Sequence, residues 1–215
     1  MTDLTTRVLP YQIGSDRAIE ALHADFGLNV ICQQKIGAFI ALMATFERLI
    51  ELAAWAVLET GEIAGTRPFT DKVGLSEIIR SIRGRSKGNI GSLGKAIDLT
   101  CDAAEGISAY RNAIAHGWLM PSSEGQPYFL SNTSWHGEKR GRAPQDAHVS
   151  ENLLDLAVDS AYVIVSAARA IFLACSGPNA FDENSMTWHI DHLSRARGQA
   201  NELRHLTALM NHEKY

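Results

Sequence analysis

Apolar residues recur along most of this chain at steps of three and four, the repeat that lines one face of an α-helix. From about Val30 to Thr60, Ile36, Phe39, Met43, Phe46, Ile50, Ala53 and Val57 form one such stripe, and Gly61 follows as a terminator. The pattern predicts a long core helix. A shorter helix is expected around Leu75, Ile78, Ile79 and Ile82, between the loop TRPFTDK and the polar RGRSKGN. Another runs through Leu93, Ile97, Thr100, Ala104, Ile107, Arg111 and Ile114, again at steps of four and three. The next starts at a capping candidate, Ser150, and continues through Leu154, Val158, Ala161, Val165, Ala168 and Phe172 towards Ser176, Gly177 and Pro178. A terminal helix from Ser185 to Lys214 turns Leu193, Ala196, Ala200, Leu203, Leu206 and Met210 to one side. Near the start, Ser15 caps a short helix through Ile19, Leu22 and Phe26 that Gly27 closes.

The helical period breaks between Trp118 and Val149. There Pro121, Gly125, Pro127, Gly137, Gly141 and Pro144 punctuate β-prone pieces such as PYFLSNTSW, so an irregular loop or β-hairpin insertion is expected rather than a second domain. The fold class that follows is all-α, an up-and-down helical bundle. Residues 1–29 form an N-terminal extension with a short helix, residues 30–176 the bundle with its insertion at 118–149, and residues 177–215 a C-terminal accessory helix.

Composition narrows the function classes. A length of 215 residues suits one domain, and 46% hydrophobic with 20% charged residues excludes a mainly disordered chain. With 20 Lys+Arg against 24 Asp+Glu, nucleic-acid affinity has to come from local basic patches. Cys32, Cys101 and Cys175 form no CxxC pair, which points to reduced thiols and a cytoplasmic location. The opening MTDLTTRVLPYQIGSDR lacks the apolar run of a secretory signal. Glu47, Arg48 and Glu51 interrupt the most hydrophobic region, Ile36 to Leu58, so a core helix and no membrane association are expected.

The stretch RNAIAHG, residues 111–117, carries the chemistry. Arg111 stands on an inward stripe where leucine is expected, and a charge there needs a partner or a task. Its guanidinium is a permanent fork of donors suited to phosphate oxygens, and His116 exchanges protons near neutral pH. With Asn112 to orient them, they form a kit for phosphodiester cleavage: the histidine takes a proton from a 2′-hydroxyl or gives one to the leaving oxygen, and the arginine stabilises charge on phosphorus. Asn112 and His116 share a helix face, whereas Arg111 and His116 diverge by roughly 140°. One helix cannot wrap both around a single phosphate, so a facing second copy, in a homodimer with a composite cleft, is expected. The alternative is structural: these side chains bond helix-end carbonyls or pair with acids such as Glu47 or Glu51 on a neighbouring helix.

The segment YRNAIAHGW resembles the R-N-x-x-x-H signature of the HEPN superfamily (higher eukaryotes and prokaryotes nucleotide-binding domains), with matches at Arg111, Asn112 and His116. The layout is similar over roughly residues 30 to 176. The resemblance implies an all-α bundle, a homodimer joining two copies of the motif, and a metal-independent, cofactor-free endoribonuclease. RNA is then the substrate, in toxin–antitoxin, phage-defence or CRISPR-linked settings, with an antitoxin or regulatory protein as partner. The residues at 118–149 and after Asn184 depart from the common pattern. The alternative within the same fold is a non-catalytic dimer that binds a nucleotide, RNA or protein.

Other residues bear on this reading. Arg80, Arg83, Arg85 and Lys87 form one basic cluster and Lys139, Arg140 and Arg142 another, both candidates for RNA phosphate contacts, with Tyr128, Phe129 and Trp135 available to stack on bases. Glu47 is a candidate for holding Arg111 or His116 in position from the first long helix. His189 and His192 lack a convincing set of further ligands, so no metal site is expected. Cys101 has no base near it in sequence, and GSLGK lacks the spacing of a phosphate-binding loop.

Overall fold

A computed structural model describes residues 15–60, 67, 70–86, 91–121, 126–131, 145–176 and 183–208. Among these, six helices and three short strands follow one another as α1 (Ser15–Phe26), α2 (Val30–Val57), α3 (Leu75–Ser86), α4 (Ser92–His116), β1 (Trp118–Met120), β2 (Tyr128–Ser131), β3 (Gln145–His148), α5 (Glu151–Ser176) and α6 (Glu183–Ala208). The expected helical class is therefore observed.

Asn29 starts α2 by accepting a hydrogen bond from the Cys32 amide at 2.8 Å. Phe39, Met43, Phe46, Ile50 and Ala53 of the anticipated stripe are fully buried, and removal of each large side chain from water favours folding by about 1.5–3 kcal/mol. The α5 stripe is rotated from its expected line. Leu154, Ala157, Ala161, Ile164, Ala168 and Ile171 are buried, while Val158, Val165 and Phe172 pack only partly against the core. Alanines sit at the centre because α5 touches α2, α4 and α6, which lets backbones come close and moves the bulkier residues to the margins. By length and composition α5 could cross a membrane, yet in this fold it carries much of the core.

Polar contacts give the helix directions. Asn29 and Lys35 of α2 reach Glu151 and Asp155 at the start of α5, so these two helices run parallel. Asp102 meets Arg197 and Gly106 meets Ala200, so α4 and α6 also run parallel. The expectation of an accessory C-terminal helix is corrected: Leu193, Ala196, Ala200 and Leu203 are fully buried, and α6 is a wall of the bundle. Small residues are the reason. At Gly106 a β-carbon would come within 3.1 Å of the Ala200 backbone and side chain, so the glycine lets α6 lie closer to α4 than a side chain would without a small shift.

The insertion is a three-stranded antiparallel sheet, not a hairpin, with β2 in the middle. Leu119 and Phe129 pack towards the helical core beside the buried Ala147. Gly117 joins α4 to β1 in an extended conformation (φ −86°, ψ 165°). Its glycine answers to space and not to a left-handed turn: a β-carbon would overlap the Ala113 carbonyl and press on the Leu130 carbonyl.

Two glycine substitutions separate these effects. In α2, Gly37 faces open space, so Gly37→Ala should raise stability by about 1 kcal/mol through helix propensity. Gly106→Ala has the same propensity gain but presses its methyl on Ala200, so it should be less stable than Gly37→Ala by about 1–3 kcal/mol. Chemical unfolding of both variants beside the parent protein checks the difference; equal stability of the two would show that the α4–α6 contact yields without cost.

Candidate functional site

The charges that interrupt α2 gather on one side of it. Glu47, Arg48 and Glu51 face a cleft of about 940 Å³, whose other walls come from α3 and the residues before it, from α4 at Glu105, Arg111 and Asn112, from Gln145 of β3 and from Arg204 of α6. Arg111 is half-buried on the cleft wall. Its Nη2 pairs closely with the Glu47 carboxylate, and its Nη1 donates to Asn112 Oδ1 at 2.8 Å. A stripe position expected to hold leucine therefore holds a cation whose counter-charge comes from another helix.

Asn112 also lines the cleft. His116 does not: it is exposed in the last turn of α4, five residues beyond Arg111 and immediately before Gly117. Within one chain the fold thus joins Arg111, Asn112 and Glu47 and leaves His116 apart, one turn beyond Asn112 at the end of α4.

The floor of the cleft was missed in the sequence. Glu51 is buried, and it accepts a 2.6 Å hydrogen bond from Thr70 Oγ1 while pairing with Arg48 at 2.7 Å and Arg67 at 3.9 Å. Trp55 Nε1 donates to the same Thr70 hydroxyl at 3.1 Å, and Arg48 lies over the Trp55 ring. Burial alone pushes the Glu51 carboxyl up; Thr70, Arg48 and Arg67 outweigh it and hold it below the ordinary range. The usable signal was the set Glu47, Arg48 and Glu51 inside an apolar run, because charges retained in a core helix imply matched partners.

The basic clusters fare differently. Arg80 and Arg85 are exposed on α3, whereas Arg83 ties α3 to α4 through Asp102 at 2.9 Å and Glu105 at 3.3 Å. Lys87, Lys139, Arg140, Arg142 and Trp135 lie outside the described residues. Of the stacking candidates, Tyr128 stacks on His148 with ring centroids 5.3 Å apart, while Phe129 packs towards the core.

The remaining candidates lie away from the cleft. Trp188 stacks on His192 at 3.9 Å, and His189 is buried, with burial first and His192 second lowering its tendency to protonate. Among the described residues no group of three or more His, Cys, Asp or Glu is placed to hold a metal. Burial pushes the Cys101 thiol up to about 12, so it is an inert core group near neutral pH. Comparison with protein-family models, with curated proteins and with solved structures finds no match.

Glu51 gives the cleft a pH signature. Its carboxyl titrates lower in the fold than its ordinary 4.5, so its stabilising contribution is fully present above that value and disappears as pH falls through the folded one. The stability gap between the parent protein and Glu51→Gln should therefore be largest near neutral pH and narrow on acidification below about 4.5. Thermal unfolding across that range checks it; a gap that widens in acid contradicts the assignment.

Proposed function

We propose that this chain is a HEPN-type, metal-independent endoribonuclease that acts as a homodimer in the cytoplasm, within a toxin–antitoxin or phage-defence system. The observation that supports the reading is the Arg111 guanidinium, anchored by Glu47 and Asn112 on the wall of a cleft large enough for a nucleotide, with an exposed histidine at the end of the same helix. Because Arg111 and His116 diverge by roughly 140° on one helix, the histidine of one protomer and the arginine of the facing one serve one phosphate. His116 takes the proton of the RNA 2′-hydroxyl, and that oxygen attacks phosphorus. Arg111 stabilises the charge on the phosphoryl oxygens. The bond to the 5′-oxygen breaks and that oxygen is protonated, giving a 2′,3′-cyclic phosphate and a 5′-hydroxyl. Glu47 positions Arg111, and the basic residues Arg80, Arg85, Lys87, Lys139, Arg140 and Arg142 contact flanking phosphates. A cognate antitoxin or regulatory protein would control the activity.

A second reading has an observation of its own. Both terminal nitrogens of Arg111 are already engaged within the chain, and His116 stands off the cleft. The same helical unit would then be a non-catalytic module that binds a nucleotide, RNA or partner protein.

Incubation of the purified protein with mixed-sequence single-stranded RNA in EDTA separates the two. The expected result is fragments ending in 2′,3′-cyclic phosphate, with loss of at least about 100-fold in rate for either Arg111→Ala or His116→Ala. RNA binding without cleavage by the folded protein supports the second reading instead. Mixing the two variants should restore part of the activity, because a heterodimer rebuilds one intact composite site.

Glu47→Gln tests the positioning role. It keeps the shape and removes the charge, so kcat should fall while RNA affinity at the exposed basic residues is retained. Unchanged kcat and unchanged stability would remove Glu47 from the site.

A further inference from the structure

The parallel packing of α4 and α6 sets residues of the two helices against one another. Asp102 lies 3.7 Å from Arg197, and one turn on, Gly106 meets Ala200. Seven residues, or two helical turns, beyond that ion pair stand Arg204 on α6 and Ala109 on α4. Both Arg204 and Ala109 line the cleft, beside Asn112 and Arg111. Two turns along, α4 thus carries a methyl group where it carries a carboxylate beside Arg197.

Comparison with the other arginines of the cleft sharpens the contrast. Arg48 and Arg67 pair with Glu51, and Arg111 pairs with Glu47. Glu105, the remaining carboxylate on the cleft wall, pairs with Arg83 from the α3 side. Among the described residues Arg204 has no ion pair or hydrogen-bonding partner. A structural arginine on this seam would look like Arg197. Arg204 is instead an exposed, permanently charged fork of donors on the wall of a cavity where Arg48, Arg67 and Arg111 each have a carboxylate partner.

From this we infer that Arg204 is an anion-binding residue of the cleft, taking a phosphate of single-stranded RNA next to the one held at Arg111. The inference rests on the RNA reading of the site and extends it: two guanidinium groups from different helices select a phosphodiester strand over a lone phosphate, and α6 becomes part of the binding surface. Planar guanidinium groups match phosphate oxygens with two parallel hydrogen bonds, which an isolated lysine would not do.

The test is equilibrium binding of a 2′-O-methyl single-stranded oligonucleotide, which lacks the attacking hydroxyl, by the full chain over a range of salt. Loss of one phosphate contact from a single strand should lower the salt slope by about 0.7, which at about 50 mM salt is roughly an eightfold loss of affinity. Arg204→Gln is expected to show that loss, and Arg204→Lys to regain most of the slope. Arg197→Gln, which breaks a pair of the same kind on the same helix, is expected to bind like the parent protein. If the parent protein binds and Arg204→Gln binds equally well, or Arg197→Gln loses as much, the inference is overturned and the proposed function stands. If the folded parent protein binds no oligonucleotide, the RNA reading of the cleft and this inference fall together.

Discussion

A carboxylate taken out of water must be matched by charge or hydrogen bonds, or it will protonate or unfold the chain around it. Glu51 is nearly inaccessible on an otherwise apolar helix, and the arrangement around the cleft follows from satisfying it. Thr70 and Arg67 approach from the segment before α3, Arg48 folds back over Trp55, and Glu47, one turn earlier, is left to meet Arg111 across the gap. Had α2 carried leucine at these positions, α3 would be free to close on α2 as apolar helices do. The opening persists because polar groups line it and must remain paired.

The other constraint is steric. Gly106 and Ala200 permit a close, parallel approach of α4 and α6, and that contact sets which residues oppose each other along the seam. The Asp102–Arg197 pair and the place of Arg204 on the cleft wall are consequences of one register. A shift of α6 by one residue would rotate it by about 100° and carry Arg204 away from the cleft. Tight packing of small residues, a matter of stability, thereby determines electrostatics at the surface.

These two constraints meet at α4. Its inward side is filled by Ile97, Thr100, Ala104, Ile107 and Ile114, and its C-terminal end passes through Gly117 directly into the sheet. Arg111 and His116 are consequently held on a rigid element but on different sides of it. Such a helix can present an arginine to its own cleft and a histidine to a neighbour, which is the geometry a composite dimer site would use.

Much of the fold was legible in the linear pattern, because the period of apolar residues reports directly which helix face avoids water. The stripes of α2 and α4 were read correctly, and the oddity of Arg111 was visible as a charge at a leucine position. Sheet formation at Trp118–Met120, Tyr128–Ser131 and Gln145–His148 was blurred, since these strands are only three or four residues long and too short for an alternating pattern to stand out. The sequence by itself determined the helical class, the RNAIAHG constellation and the need for a partner to Arg111. Only the tertiary structure decided that the partner is Glu47, that Glu51 is served by Thr70, Arg48 and Arg67, and that α6 belongs to the core. The physical reason is that periodicity is a local property of one helix, whereas pairing depends on which helices meet and in what register, and no single segment encodes that.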